Sequence, residues 1–224
     1  MKCLIIIPSY NESENILNTI KDIKTNLGKN YSYIVINDCS TDDTSKLLLK
    51  NKINVINLPV NLGLSGAVQC GYRYAYENGY DAAIQFDGDG QHKAIYIKEM
   101  LHEIENGANI VIGSRFLNKK KKLSLRMIGS SILTFLIKVK TGNKIKDPTS
   151  GMRMLDRDNI YEYAYNRNYR PEPDSLVSQM KKGNTVKEIQ VEMNDRKGGK
   201  SYLSSPFTSI SYMIRMIVSI IFIS

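Results

Sequence analysis

Histidine and cysteine are scarce in this chain, with two and three copies among 224 residues. Cys3, Cys39 and Cys70 are scattered without CxxC spacing, which argues against a disulfide framework and against structural zinc. A reducing cytoplasm fits that usage. His92 and His102 alone cannot furnish a multi-histidine metal centre. No GxGxxG follows the first predicted strand, and GxxxxGK[ST] occurs nowhere. A dinucleotide-dependent dehydrogenase and a P-loop phosphotransferase are disfavoured accordingly. No internal repeat is visible. The opening apolar run, Cys3 to Ile7, is too short for a signal-peptide core and is cut by Pro8. The apolar stretch at the other end, Ser211 to Ser224, falls short of the roughly 20 residues a spanning helix requires.

What is present is an ordinary globular balance, 42% hydrophobic and 24% charged, in a length that suits one sizeable core. Lys and Arg number 31 against 22 Asp and Glu, a net charge of +9. That surplus favours polyanionic partners: nucleic acid, anionic lipid headgroups or phosphorylated substrates. Nucleic acid is set aside, because the aromatics are mostly tyrosines dispersed through helical patterns and no nucleic-acid-binding motif occurs.

Short β-branched runs alternate with amphipathic stretches over the first two-thirds. Strands are predicted at Cys3 to Ile7, Tyr33 to Asn37, Asn54 to Asn57, Ala82 to Phe86 and Ile110 to Ile112. Helical patterns cover Glu14 to Leu27, Asp42 to Leu49, Ser65 to Asn78, Ile95 to Asn106 and Ile128 to Val139. This spacing predicts βαβ units and an α/β fold with a mainly parallel sheet. Gly28, Gly79 and Gly107 stand where helices should stop, and Ser40 to Asp43 supply N-cap chemistry. The lysine run Lys119 to Lys122 reads as a solvated loop or, beside the following apolar helix, as a contact to anionic lipid. The C-terminal apolar stretch, with Arg215 inside it, reads as a buried terminal helix, an in-plane interfacial helix or the start of a membrane hairpin; of these, interfacial attachment is expected. The expected organisation is a catalytic domain over 1–205 and a membrane-associating helix over 206–224.

Candidate chemistry concentrates in Gln85 to His92, directly after a predicted parallel strand. Ligands of open α/β sheets bind at that carboxyl edge. Side chains two apart on an extended segment point the same way, so Asp87, Asp89 and Gln91 can converge. Two carboxylates and an amide make a hard, oxygen-rich site suited to Mg²⁺ or Mn²⁺. Two further loops, Pro8 to Glu12 and Asn37 to Thr44, follow the first two strands and are rich in acceptors. Together they suit a nucleoside, with Asp38 positioned to accept from a base N–H.

Six motifs in order, PSYNE, VINDCSTDDT, NLGLSGA, QFDGDGQH, GSRF and DPTSGMR, resemble those of family 2 glycosyltransferases. More narrowly, the chain is similar to dolichyl- and polyprenyl-phosphate sugar transferases over residues 1–202. The resemblance implies the glycosyltransferase A type of fold, a mixed, mainly parallel sheet with helices on both faces. It also implies inverting transfer from a nucleotide sugar to a polyprenyl phosphate. In the residues matching its motifs, Pro8, Tyr10, Glu12 and Asp38 would hold the nucleotide. Asp87, Asp89 and Gln91 would bind the diphosphate metal, while Arg115 and Arg126 would grip the acceptor phosphate. A later basic motif corresponds to Arg196 to Tyr202, where Tyr202 replaces the usual lysine and Lys200 lies two residues earlier. Cys39 stands where the pattern has glycine. By analogy, a UDP-sugar is favoured over a GDP-sugar, the location is the inner membrane face, and a small membrane protein is a candidate partner.

A phosphate monoester is largely ionised near neutrality, with a second pKa of about 6, and needs no general base. A saccharide hydroxyl would need one. Asp147, Glu172 and Asp174 are the candidates for that alternative. A non-catalytic membrane scaffold is a further alternative, against which the intact Asp87, Asp89 and Gln91 speak.

Overall fold

A computed structural model describes residues 1–28, 31–119, 124–166, 170–195 and 206–222. Seven strands form one sheet: β1 (Cys3–Ser9), β2 (Ser32–Asn37), β3 (Val55–Asn57), β4 (Ala82–Gln85), β5 (Ile110–Ser114), β6 (Arg153–Asp156) and β7 (Val186–Gln190). Their order is β3-β2-β1-β4-β6-β5-β7. All five predicted strands are there. β6 and β7 were not predicted. β6 lies antiparallel between β4 and β5, which makes an otherwise parallel sheet mixed.

All seven residues of β1 are buried, the mark of a strand covered on both faces. Alternation then divides its side chains. Cys3, Ile5 and Ile7 enter the core formed with α1 (Ile16–Leu27), α2 (Thr44–Lys50) and α4 (Ile97–Glu105). Leu4 and Ile6 enter the core on the opposite face, beneath α3 (Gly63–Glu77), α5 (Leu125–Thr141), α6 (Arg157–Tyr165), α7 (Pro173–Lys181) and α8 (Pro206–Phe222). Fully burying one such aliphatic side chain contributes about 1.5–3 kcal/mol, so this strand anchors both layers. α3 lies close enough to β1 that a Cβ on Gly71 would fall 2.2 Å from Cγ2 of Ile6.

Helix ends follow the predicted punctuation. Gly28, Gly79 and Gly107 all take positive φ just beyond α1, α3 and α4. The start of α2 differs in detail. Its N-cap, Asp43, makes no side-chain cap bond; instead Asp42 Oδ1 accepts from the Thr44 amide at 2.9 Å.

α8 is not suspended from the rest. Met216 and Ile220 are buried in the second core. Arg215 donates to Glu172 Oε1 at 2.9 Å, and Ser219 Oγ donates to Asp174 Oδ2 at 2.6 Å. Glu172 and Asp174 flank the start of α7, where Pro173 occupies the first turn. No helix among the described residues is long and apolar enough to cross a membrane.

Candidate active site

The chain reverses direction of sheet growth at β1, which pairs with β2 on one side and β4 on the other. Such a switch point opens a crevice at the carboxyl ends of the strands. Three loops meet there. The first, after β1, is fastened to the second, after β2, by a net of hydrogen bonds. Asn11 is its hub, in the left-handed region at φ 55. Its amide N–H donates to Ser40 Oγ at 3.0 Å, and its Oδ1 accepts from the Thr41 amide at 2.8 Å. The Glu12 amide donates to Thr44 Oγ1 at 2.9 Å, and the Ser13 amide to Asp42 Oδ2 at 3.1 Å. Burial works to raise the Asp42 pKa, but the bonds from Thr44 and Ser13 prevail and hold it below its ordinary value.

The predicted nucleotide residues take distinct places in this net. Pro8 is within β1, and the Tyr10 ring is exposed at the mouth. Glu12 is buried, its Oε2 accepting from Asn15 Nδ2 at 3.1 Å. Asp38 is also buried, and its Oδ1 accepts from the Leu62 amide at 2.7 Å, which ties the start of α3 to the crevice. Asn37, which the motif reading left without a role, links β2, β3 and α2. Its Nδ2 donates to Ser45 Oγ at 2.7 Å and to Asn57 Oδ1 at 2.8 Å. Cys39 has φ 58, which gives a reason for the glycine common in the motif.

The acidic turn after β4 is held from several sides. Thr19 Oγ1 donates to the Gly88 carbonyl at 3.1 Å, and Asn194 Nδ2 donates to the Gly90 carbonyl at 3.2 Å. Asp89 Oδ1 accepts from the Gln91 amide at 3.0 Å, while Gln85 Nε2 donates to Asp87 Oδ1 at 2.9 Å. His92 is buried beneath the turn with its Nδ1 accepting from the Asp87 amide at 3.0 Å. That bond places the ring proton on Nε2, which lies 3.7 Å from Asp87 Oδ2. Two glycines sit at close approaches: a Cβ on Gly88 would meet the Pro8 carbonyl at 3.1 Å, and one on Gly151 would meet Asp87 Oδ2 at 3.1 Å. His92, Gln85 and Gly151 were not singled out from sequence. Their signal was adjacency to, or membership of, motif segments.

A hard divalent cation fits this donor set. Among the described residues there is no cluster of three or more His, Cys, Asp and Glu able to enclose a metal. Two carboxylates and an amide leave most of the coordination to phosphate oxygens and water, the usual state of Mg²⁺. Buried oxygens at the carboxyl ends of β1, β4 and β5, Ser9 Oγ, Gln85 Oε1 and Ser114 Oγ, have no hydrogen-bond partner among the described residues. Unpaired buried acceptors of this kind are rare and mark a place for a ligand or ordered water.

Beyond β6 the site changes character. Arg115, at the end of β5, is gripped by Asp147: its Nε donates to Oδ2 at 2.7 Å, its Nη2 to Oδ1 at 2.8 Å and its amide to Oδ2 at 3.0 Å. Asp147 is completely buried, and Glu188 Oε1 accepts from its amide at 2.8 Å. Burial would lower the Arg115 pKa, yet the bonds and charge of Asp147 outweigh it and push the value up. Arg153 is buried as well, donating to the carbonyls of Ser150, Glu172 and Pro148 at 3.0, 3.0 and 2.6 Å. Those three bonds give it a structural task. Arg126 falls in the first turn of α5, and Arg196 and Lys200 lie outside the described residues.

The mixed, mainly parallel sheet with helices on both faces is a fold of the glycosyltransferase A type. The chain belongs to glycosyl transferase family 2, whose model matches residues 4–164. It is 28% identical to the UDP-N-acetylglucosamine–dolichyl-phosphate N-acetylglucosaminyltransferase of Methanococcus voltae, with 84% of each chain covered. It is 26% identical to the undecaprenyl-phosphate mannosyltransferase of Micrococcus luteus, covering 91% of this chain and 88% of that one. Among solved structures, the glucosyl-3-phosphoglycerate synthase of Mycobacterium tuberculosis, crystallised with Mn²⁺, UDP and phosphoglyceric acid, superposes with TM-score 0.73. It is 16% identical and covers 100% of this chain and 79% of its own, a likeness of fold.

Proposed function

We propose that this chain transfers a sugar from a nucleoside-diphosphate donor to a polyprenyl phosphate at the cytoplasmic face of a membrane, with inversion at the anomeric carbon. One observation carries the reading. The segment from Asp147 to Arg153 touches both halves of the site: Asp147 holds Arg115, and Gly151 backs the Asp87 carboxylate. A cationic group for an acceptor phosphate and an acidic turn for a donor diphosphate are thereby tied to one short stretch of chain.

In this reading Pro8, Tyr10, Glu12 and Asp38 shape the nucleoside pocket, with Tyr10 stacking at its mouth. Asp87, Asp89 and Gln91 hold Mg²⁺ or Mn²⁺, which when bound neutralises charge developing on the leaving diphosphate. Arg115, with Arg126, Arg196 and Lys200, orients the acceptor phosphate through charge-assisted bonds. A phosphate oxygen attacks the anomeric carbon as the bond to the diphosphate oxygen breaks, and the nucleoside diphosphate leaves. An ionised nucleophile asks only for positioning and for stabilisation of the leaving group.

The state of the acids favours this acceptor over a saccharide hydroxyl. Both carboxylate oxygens of Asp147 accept from Arg115, which makes it a positioning residue. Glu172 and Asp174 accept from Arg215 and Ser219 of α8. All three candidate bases are thus committed to structural bonds. The relatives named for dolichyl- and undecaprenyl-phosphate support the lipid acceptor, and the first supports UDP as the base carrier.

The test is release of nucleoside diphosphate from UDP- and GDP-sugars with Mn²⁺ or Mg²⁺, with and without a short polyprenyl phosphate. Release that requires the lipid phosphate, and that EDTA and Asp89→Ala abolish, is expected. Release only with a saccharide acceptor would overturn the proposal.

A further inference from the structure

The sheet edge opposite the crevice carries a feature of its own. β6 ends there at Asp156, which pairs with Ala82 at the start of β4, and α6 departs from the same place. A cavity of about 320 Å³ opens between the first turns of α6, the end of α7 and the last turn of α3. Small-molecule pockets run from roughly 300 to 1,000 Å³, so the volume suits a modest ligand. Two amides in its wall, those of Asn159 and Gln179, are buried at 1% and 0% exposure. The bonds they do make fix their orientation. Asn159 Nδ2 donates to Asp156 Oδ1 at 2.9 Å, and Gln179 Oε1 accepts from Asn184 Nδ2 at 2.6 Å. One acceptor, Asn159 Oδ1, and one donor, Gln179 Nε2, are left over, with no hydrogen-bond partner among the described residues. Buried polar groups are normally satisfied, so the pair marks a place for a ligand that offers both functions.

We infer that this cavity is a binding site for a neutral saccharide, separate from the crevice. Three properties of the wall select that chemistry. A hydroxyl both donates and accepts, so one sugar hydroxyl, or two neighbouring ones, can satisfy Asn159 Oδ1 and Gln179 Nε2 together. A carbonyl or an ammonium group could satisfy only one of them. The second property is aromatic. Tyr76 and Tyr161 line the cavity with ring centroids 5.0 Å apart, and Tyr165 extends the cluster 5.1 Å beyond Tyr161. Tyr161 is 49% exposed at the rim. Rings beside polar groups suit a pyranose, which has an apolar C–H face and a hydroxylated edge. The third property is charge. Arg157 and Lys182 in the lining are matched by Asp158 and Glu162. Both cations are also engaged. Arg157 donates to the Tyr80 carbonyl at 2.9 Å and sits 4.7 Å from the Tyr76 ring, and Lys182 pairs with Glu162 at 3.0 Å. Among the lining residues there is no spare positive charge to attract a phosphate or carboxylate.

The topology keeps this site away from the crevice. The acidic turn and the nucleotide loops follow the carboxyl ends of β1, β2 and β4. Tyr76 precedes β4, Arg157 follows the end of β6 beside the start of β4, and Asn184 precedes β7. All three lie at the amino ends of the parallel strands. A saccharide held there blocks neither donor nor acceptor, and its binding is independent of the transfer reaction proposed above.

Saturation-transfer NMR on the full chain tests the site. The probes are methyl glucoside, methyl mannoside and N-acetylglucosamine, each with and without saturating UDP and Mg²⁺. At least one should show transfer to its ring protons that survives UDP and Mg²⁺. Tyr161→Ala, at an exposed position, should weaken that binding roughly tenfold with a melting temperature close to the parent's. Gln179→Leu, which removes the donor at similar volume, should weaken it as well; Tyr161→Ala alone decides if that variant folds poorly. Transfer to none of the probes would leave ordered water as the partner of the two amides and overturn the proposal. Displacement by UDP and Mg²⁺ would put the sugar in the crevice, and binding unchanged in Tyr161→Ala would put it elsewhere; either result overturns the proposal. Tighter binding of glucose 6-phosphate than of the neutral probes would overturn the neutral class.

Discussion

The two sides of the strand-end crevice are built by different means. On the donor side, the loops after β1 and β2 are joined mainly by short bonds among amides and hydroxyls, centred on Asn11, Asn37, Ser40 and Thr44. On the proposed acceptor side the ties run through charged groups: the Arg115–Asp147 ion pair, half-buried Glu188 accepting from the Asp147 amide, and buried Arg153 on three carbonyls. Neutral bonds each contribute about 0.5–1.5 kcal/mol, and a buried neutral group that loses its partner costs about 1–3 kcal/mol. A buried charge that loses its partner costs more, about 3–5 kcal/mol. Single changes should therefore cost less stability on the proposed donor side, where the load is spread over many neutral bonds, than on the proposed acceptor side, where a few charged groups carry it.

The largest effect is expected where that comparison is broken outright. Asp147→Ala leaves the Arg115 guanidinium, whose side chain is 24% exposed, without its partner. Urea unfolding should show a loss of about 3–5 kcal/mol, the cost of breaking a buried pair. A loss below about 1 kcal/mol would mean that the pair carries little of the acceptor side.

On the donor side, His92→Ala removes the ring that accepts from the Asp87 amide. Partners of this kind are worth about 10–100-fold in metal affinity or activity. Mn²⁺ titration of nucleotide release should therefore shift to higher metal concentration by that factor. A change in unfolding midpoint with unaltered metal dependence would assign His92 to packing alone.

Asp42 offers a finer probe, since the Thr44 and Ser13 bonds lower its pKa. A lowered carboxylate pKa contributes stability that is present above the unfolded value and is lost as pH falls through the folded value. Asp42→Asn should cost about 1 kcal/mol at neutral pH. The difference from the parent should shrink below about pH 4, where the unfolded carboxyl is protonated. Parallel stability curves from pH 7 to acid would remove Asp42 from the loop clasp.

The smallest effect is expected at Cys39. Its φ of 58 carries a steric cost that glycine avoids. Glycine's greater freedom when unfolded offsets part of the gain. Cys39→Gly should leave stability within about 1 kcal/mol of the parent, on the favourable side. A clear destabilisation would show that the weak Sγ contact to the Pro59 carbonyl, at 3.8 Å, matters more than the backbone.

Much of the donor side was legible in the chain. Gln85 to His92 advertised an acidic turn after a strand, and the loops after β1 and β2 carried their acceptors in plain view. Those features are local, set by a strand, its turn and the next helix. The acceptor side was less legible. β6 is four residues long and holds a buried arginine, so neither length nor composition marks it. β7 is an edge strand with Lys187 exposed and Glu188 half-buried, and its alternation is weak. The engagement of Asp147 with Arg115 spans 32 positions and leaves no periodic trace.

The sequence by itself determined the alternation of strands and helices, the mainly parallel character of the sheet, and the family to which its six motifs belong. Hydrophobic period and turn chemistry are properties of neighbours along the chain, so they can be read there. Only the tertiary structure decided that β6 runs antiparallel between β4 and β5, that three acids are bonded to cations or hydroxyls, and that α8 lies beside α5. Periodicity says which face of an element is buried but not what covers it. Partner choice is settled by packing the whole chain at once.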